Sequence, residues 1–140
     1  MNKSQQVIES IQSLNEGTRS IIGIEDKKGQ VTYIYCNYDG YLEHNGKILK
    51  NHYTNLKKVK ELMKLGDLSV LGKDIGKKQD FNNPTDGWCL AYGRDRGEKN
   101  TSAVKVRSRD QIKEQEYNYL FKEEENKWIY KEVDGEWEDL

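Results

Sequence analysis

Apolar residues along this chain recur at two spacings, and the spacings predict where helices and strands lie. Near the start, four apolar residues share one helical face: Val7, Ile8, Ile11 and Leu14. With Ser4 as a candidate N-cap and Gly17 at the end, they predict a helix within residues 1–17. Residues 20–25 and 30–36 are instead rich in β-branched and aromatic side chains. The turn residues between them predict a β-hairpin.

The middle of the chain predicts two helices. Residues 42–52 follow a helical pattern that Gly46 weakens. Thr54 is the candidate N-cap of a second helix, which ends at Gly66. The apolar stripe of this second helix consists of Leu56, Val59, Leu62 and Met63. Residues 68–72 follow the helix and predict a packed turn.

The second half of the chain predicts a long loop followed by short strands. Residues 72–87 are polar and contain Phe81 and the only proline, Pro84. Long loops in compact domains are often functional. Four short segments predict strands: residues 88–91, 103–107, 117–122 and 127–133. The last two of these segments flank a polar turn and therefore predict a closing hairpin.

These elements predict an α+β fold, in which one compact domain has a mainly antiparallel β-sheet packed with two or three helices. A length of 140 residues suits a single domain. We expect residues 1–17 to form an N-terminal helix, a candidate oligomerisation element, and residues 18–133 to form a ligand-binding domain. Residues 134–140 form an acidic tail, which we expect to fray unless the indole of Trp137 docks.

Composition and charge exclude several classes of function. The chain has 23 Lys and Arg against 24 Asp and Glu, so no basic excess favours DNA or RNA. No apolar stretch approaches the roughly 20 residues of a membrane span, and the N-terminus has no signal-peptide pattern. Cys36 and Cys89 lie far apart in apolar runs and predict buried free thiols. The expected location is a reducing cytoplasm, with no metal and no cofactor.

Arginines and aromatic residues cluster around the third predicted strand and the loop before it. Gly93-Arg94-Asp95-Arg96-Gly97 predicts a loop directly after an apolar strand, and residues 104–110 predict a second arginine-rich strand with Arg107 and Arg109. Guanidinium groups present a rigid fork of donors that suits phosphate. Tyr92 and Phe81 lie at loop edges, where an aromatic ring can stack on a purine. The alternative interpretation is a surface turn with weak salt bridges.

Catalytic motifs are sparse in this sequence. His44 and His52 do not have a metal-ligand spacing, and neither a GxSxG nor a phosphate-loop motif occurs. Asp39, Asp95 and Glu98 are candidate acid–base groups, and each is equally explained as a loop-capping carboxylate. We therefore predict a small anionic ligand and no catalytic residue.

Five segments carry a resemblance to a known family: residues 18–25 (TRSIIGIE), 34–41 (IYCNYDGY), 46–49 (GKIL) with His52 and Tyr53, 65–69 (LGDLS) and 91–98 (AYGRDRGE). Over about residues 18–130 the chain resembles small phage and prophage proteins of Gram-positive bacteria. It looks most like the first described family of Thoeris anti-defence proteins. Many relatives have His-Trp-Asp-Gly-Tyr where this chain has Asn37-Tyr38-Asp39-Gly40-Tyr41.

The resemblance implies a sequestering protein and not an enzyme. In Thoeris defence, a TIR-domain enzyme makes a cyclic ADP-ribose isomer, such as 1''–3' glycocyclic ADP-ribose, that activates a suicidal effector. Proteins of the resembled family bind this signal tightly and leave it intact. They are homodimers with pockets where subunits meet, and some form hexamers that also bind cyclic oligonucleotides at separate sites. The implied location is the cytoplasm of the infected host.

The resemblance also implies ligand-binding residues. Phe81 is expected to stack on the base, and Arg107 and Arg109 are expected to contact phosphate or ribose. Further expected ligand contacts are Arg94, Arg96, Asn100 and Tyr92. Two alternatives stay open at this point: an enzyme that cleaves or modifies a cyclic nucleotide, and a protein-binding inhibitor of a host defence effector that takes no small ligand.

Overall fold

A computed structural model describes residues 17–140 of the protein. Within this range the fold is a single α+β domain with a mainly antiparallel sheet of eight strands and three helices. The predicted fold class is therefore confirmed. The helix predicted within residues 1–17 lies outside the described residues.

The strands are β1 (Ser20–Glu25), β2 (Val31–Cys36), β3 (Leu68–Val70), β4 (Leu90–Ala91), β5 (Val104–Val106), β6 (Tyr117–Lys122), β7 (Lys127–Glu132) and β8 (Glu138–Asp139). The helices are α1 (Lys47–His52), α2 (Leu56–Leu65) and α3 (Tyr92–Arg96), with a π-helical turn at Leu42–Gly46 and a 3-10 turn at Arg109–Gln111. The strand order in the sheet is β4-β3-β2-β1-β6-β7-β8, and β5 pairs with β2 beside β3. Only the β1–β6 and β2–β3 pairs are parallel.

Alternation along the strands divides the sheet into two faces. The helix face is the one whose buried side chains pack with the helices, and it includes Ile22, Ile34, Cys36, Tyr119 and Phe121 together with Leu49, Tyr53, Val59 and Leu62. The second face is the opposite one, with Ile21, Val31, Tyr33, Leu120 and Ile129. Ile112, after the 3-10 turn, covers part of this second face. The segment is also held there because the Lys113 backbone N–H donates to the Tyr33 hydroxyl at 3.2 Å.

The ends of α2 depend on two residues. Asn55, not the predicted Thr54, is the N-cap, because its side chain accepts a hydrogen bond from the backbone N–H of Lys58 at 2.9 Å. Gly66 ends the helix at φ +73°, and a Cβ there would lie 2.2 Å from the carbonyl oxygen of Thr101. Both a left-handed backbone and a close approach therefore require glycine at this position.

Four further local predictions from the sequence were wrong. Residues 68–72 are not a packed turn, because Leu68–Val70 forms β3 between β2 and β4. The strand predicted at residues 88–91 is only two residues long, and the loop predicted after it is the single-turn helix α3. The arginine-rich strand ends at Val106, so Arg107 and Arg109 do not share one strand face.

The acidic tail docks onto the sheet. Trp137 packs against the hydrophobic cluster of the second face, and β8 extends the sheet beside β7. The Lys127 ammonium lies 3.1 Å from the Asp139 carboxylate and adds an ion pair. The tail was expected to fray unless the Trp137 indole docked. The indole does dock, so the tail is part of the fold.

Candidate functional site

Phe81, Tyr92 and Arg96 form one contiguous group, which we call the aromatic–arginine group. The Phe81 and Tyr92 rings stack with their centroids 5.7 Å apart and their planes inclined by 30°. The Arg96 guanidinium lies over both rings, 4.5 Å from the Phe81 centroid and 4.9 Å from the Tyr92 centroid. These distances are typical of cation–π contacts. The structure therefore brings together three of the seven predicted ligand residues.

Arg96 is held in this position by an ion pair that remains open to solvent. Its guanidinium donates to Glu98 at 2.6 Å, and half of the Arg96 side chain is exposed. Exposed ion pairs of this kind contribute little to stability. The guanidinium is therefore available to exchange Glu98 for an anionic ligand at low cost.

The backbone of α3 determines where Tyr92 and Arg96 lie. Tyr92 directly follows β4, and the helix lasts a single turn before Gly97 closes it in the left-handed region at φ +70°. This short helix, in place of the predicted loop, turns both side chains toward Phe81. Phe81 itself is half-buried in the long polar loop between β3 and β4.

Arg94 and Asp95 hold that loop against the strands. The guanidinium of Arg94 donates to the carbonyl oxygens of Ile75 and Cys89, each at 2.7 Å. The Asp95 carboxylate accepts from the backbone N–H of Ala91 at 2.8 Å and from that of Gln79 at 3.2 Å. Arg94, predicted to contact ligand, therefore has its donors occupied by the protein and positions the loop that carries Phe81.

Burial and hydrogen bonding shift the pKa of Asp95 in opposite directions. Burial by itself raises the pKa of this carboxyl, but hydrogen bonds from Arg94 and Ala91 outweigh it and hold the pKa below its usual value. The carboxylate stays charged beside Arg94, which makes the pair a permanent ionic link.

Polar side chains border the aromatic–arginine group on the second face of the sheet. Leu68 packs into the helix-face core, so the next residue of β3, Ser69, points the opposite way. Asp67 lies opposite Tyr92, whose backbone N–H donates to the Asp67 carbonyl. Tyr35 occupies this face of β2, and its backbone N–H donates to Asp67 Oδ1 at 3.0 Å. We call Tyr35, Asp67 and Ser69 the polar border.

Three titrating groups of this region have raised pKa values, and burial is the first cause for each. Burial raises the pKa of the Tyr35 and Tyr92 hydroxyls, which therefore act as neutral donors and acceptors. Burial also raises the pKa of Asp67, and the nearby charge of Glu98 adds to the rise. The Asp67 carboxyl thus lies in a partly desolvated position beside the group.

Arg109 lies elsewhere on the second face, and Arg107 follows the end of β5. Arg109 makes a two-pronged ion pair with Glu25, with Nη2 at 2.8 Å from Oε1, and its guanidinium lies 5.4 Å from the Trp137 ring. The side chain of Arg107 is exposed. Glu25 pairs with Val31, four residues from Tyr35 along β2, which is about 13 Å at the usual strand rise. The two arginines are thus separate from the aromatic–arginine group within one chain.

Asn100 shapes a turn. Its φ of +62° lies in the left-handed region that asparagine tolerates, and the next residue, Thr101, accepts a hydrogen bond from the Asp67 backbone N–H at 2.7 Å. The Asn100 side chain is exposed, and the backbone of the next residue contacts the polar border.

Sequence reasoning missed the polar border. Nothing local distinguishes Tyr35 from a tyrosine that packs within a sheet, or Asp67 from any other loop carboxylate. The only signal was the alternation of β2, which places Tyr35 on the same face as Tyr33. Identifying the border also needs the β2–β3 pairing, which is parallel and long-range.

Other kinds of site find no support within residues 17–140. This part of the chain contains no cluster of three or more His, Cys, Asp or Glu side chains that could hold a metal ion. Its helices are all too short or too polar to cross a membrane. Cys36 and Cys89 are buried and free, as the sequence predicted.

No protein-family model, no curated protein and no solved structure matches this chain. The family resemblance and the residue roles that it implies therefore stay predictions. The geometry of the aromatic–arginine group stands independently of them.

Proposed function

We propose that this protein binds and sequesters a cyclic ADP-ribose-type signal, such as 1''–3' glycocyclic ADP-ribose, and leaves it intact. In this proposal it acts as a phage anti-defence protein in the cytoplasm of an infected bacterium, where it inhibits Thoeris defence. The observation that carries the proposal is the aromatic–arginine group. Two stacked rings with a guanidinium over both offer a surface for a base and a cation for the attached phosphates.

Each chemical group of the ligand has a matching side chain in this region. The adenine would stack on the aromatic–arginine group, since aromatic rings accept any base face. Arg96 would leave Glu98 for the pyrophosphate, whose two charges offer a stronger partner than one exposed carboxylate. Tyr92 and the polar border would supply the short polar contacts that ribose hydroxyls need.

A homodimer would explain the distant arginines. Arg109 lies on the same sheet face as Tyr35 but about 13 Å away along β2, and the exposed Arg107 follows β5 at that end of the sheet. In the proposed dimer, Arg107 of one subunit faces the aromatic–arginine group of the other and completes the phosphate contacts. Such a pocket would bury most of the ligand, and burial favours slow release.

The burial of the cysteine thiols and the pairing of nearby carboxylates favour sequestration without cleavage. Both described cysteines are buried, and burial raises the pKa of each thiol. Two of the three carboxyls near the rings are paired with arginines, Asp95 with Arg94 and Glu98 with Arg96. The third, Asp67, accepts a hydrogen bond from the Tyr35 backbone N–H through one oxygen. An enzyme would need a group free to attack or to transfer a proton at the bound ligand.

A second groove lies on the other side of the sheet. It has a volume of about 410 Å³, and its lining includes the basic residues Lys60, Lys64 and Lys105 and the acidic residues Asp26 and Glu123. We include it in the proposal as the candidate separate site for a cyclic oligonucleotide, because three ammonium groups around one groove favour a ligand with several phosphates. Replacing Lys60 and Lys64 with glutamate should abolish cyclic oligonucleotide binding and spare cyclic ADP-ribose binding.

The test of the main proposal is calorimetric titration with the cyclic ADP-ribose isomers, followed by heating and chromatography of the released ligand. We expect tight binding and recovery of unchanged ligand. The variants Phe81→Ala and Arg96→Ala should each weaken binding by about 10- to 100-fold, in line with the value of a stacked base or a charged hydrogen bond. Lys77→Ala, an exposed charge removal in the same loop as Phe81, is the matched control.

Two results would overturn this proposal. A new product after incubation would make the protein an enzyme. Failure to bind any isomer would favour the protein-binding inhibitor, which a pull-down with host effector proteins would then identify.

A further inference from the structure

Asp67 has a carboxylate oxygen to spare beside the aromatic–arginine group. Its Oδ1 accepts the backbone N–H of Tyr35 at 3.0 Å. Within residues 17–140, the carboxylate has no ion pair and no second hydrogen bond. The side chain is only half-buried, so Oδ2 can accept from a group that arrives from solvent.

Two backbone N–H groups, those of Tyr92 and Tyr35, fix the position of Asp67 relative to the rings. Asp67 lies opposite Tyr92 across the β3–β4 pair, with the Tyr92 backbone N–H donating to the Asp67 carbonyl at 3.3 Å. Tyr35 flanks the carboxylate from β2. A base stacked on the aromatic–arginine group would therefore place its own sugar next to Asp67, because the sugar is the first group attached to the base.

We infer that Asp67 is a specificity-determining residue that accepts a hydrogen bond from a free ribose hydroxyl of the ligand and rejects a phosphate at that position. This inference rests on the proposed function. In 1''–3' glycocyclic ADP-ribose the free hydroxyl of the adenosine ribose is the 2'-OH. A carboxylate that accepts from a hydroxyl gains a charge-assisted bond, whereas a phosphate there brings like charges together.

The orientation of an amide at this position is set by the fold. In Asp67→Asn, the side-chain oxygen stays with the Tyr35 N–H, so the NH₂ group replaces Oδ2 at the ligand. A charged acceptor, Oδ2, is thus replaced by a neutral donor. This change weakens the hydrogen bond with the ribose hydroxyl and removes the repulsion of a phosphate. The volume of the side chain hardly changes.

The experiment compares three probes on the full chain: 1''–3' glycocyclic ADP-ribose, its 2'-deoxy analogue and its 2'-phosphorylated analogue. For the natural sequence we expect the deoxy analogue to bind about 10- to 100-fold more weakly, the value of one hydrogen bond to a charged group. The 2'-phosphorylated analogue should bind more weakly still. For Asp67→Asn, the affinities of the deoxy and the phosphorylated analogues should each come closer to the affinity of the parent ligand.

The change in the ratio between probes is the deciding result, because a merely structural loss would weaken all three probes equally. Unchanged ratios in Asp67→Asn would overturn the inference and leave the proposed function standing. So would equal binding of all three probes to the natural sequence, a measurement that needs no variant to fold. If the natural sequence binds none of them, the proposed function fails and the inference fails with it.

Discussion

Arg94 and Asp95 are adjacent in sequence and form an ion pair with Nε and Oδ1 2.9 Å apart, in which the Asp95 side chain is fully buried. Adjacent side chains seldom meet in this way, but the single-turn helix α3 curls them toward one another. The pair ties residues 75, 79, 89 and 91 to one another through backbone hydrogen bonds. The position of Phe81 therefore depends on a pair that need not touch the ligand.

Arg94→Ala should destabilise the fold by about 3–5 kcal/mol, because it leaves a buried carboxylate without its cation. Arg94→Lys should recover only part of this loss, since a single ammonium cannot reach both carbonyls and the carboxylate together. Arg96→Ala, which removes the exposed guanidinium of the same helix, should change the free energy of unfolding by less than about 1 kcal/mol. Chemical denaturation of the three variants measures the difference. Equal losses for Arg94→Ala and Arg96→Ala would contradict the structural role of Arg94.

The stabilising effect of Asp95 should depend on pH. Its pKa is held below the usual value of 3.8, although burial alone would raise it. Because the folded pKa is the lower one, the stabilisation is fully present above the unfolded pKa of about 3.9 and is lost as the pH falls through the folded value. We expect the difference in free energy of unfolding between the natural sequence and Asp95→Asn to narrow below about pH 4. If this free-energy difference stays constant down to pH 3, about one unit below the unfolded pKa, the pKa of Asp95 is not lowered in the folded protein.

The two thiols should resist alkylation in the folded protein. Burial raises the pKa of Cys36 to about 12 and also raises that of Cys89, and the thiolate is the reactive form. Cys89 Sγ lies 3.3 Å from the Tyr53 hydroxyl, deep in the helix-face core. Iodoacetamide at about pH 8, near the pKa of a free thiol, should add nothing to the native protein and two groups in denaturant, as read by intact mass. Rapid single labelling of the native protein would show that one thiol is accessible.

Loss of the Trp137 indole should destabilise the domain. The ring packs on the second face and lies 5.4 Å from the Arg109 guanidinium. Because the indole is only partly buried, Trp137→Ala should cost about 1–2 kcal/mol, less than full burial of a large side chain contributes. Val133→Ala, a truncation at an exposed site of the same segment, should cost less than about 0.5 kcal/mol. If the two variants unfold at the same denaturant concentration, the tail does not contribute through its indole.

The local elements were largely predictable from the sequence. The predicted hairpin strands at residues 20–25 and 117–122 match β1 and β6 residue for residue, because alternation of β-branched and aromatic side chains with clear turns is a short-range signal. The stripe of Val59, Leu62 and Met63 is buried as expected. The α2 cap was misplaced by one residue, since Thr54 and Asn55 are both good caps and only the backbone decides between them.

The candidate site was only partly predictable. Phe81, Tyr92 and Arg96 stood out in the sequence by residue type and loop position, and they do meet. Arg94 looked equally suited to a ligand, yet its donors reach Ile75 and Cys89. Residue type alone cannot distinguish these outcomes, because a guanidinium suits a backbone carbonyl as well as a phosphate.

The sequence by itself determined the fold class, the main hairpins and the residue types from which a site could be built, because spacing shows which side chains share one face of one element. The tertiary structure alone decided that Asp67 borders Tyr92 and that Arg109 pairs with Glu25, 84 residues away. These neighbours depend on the pairing of β2 with both β3 and β5. Such pairings are set by burying the whole core at once, and no local pattern records them.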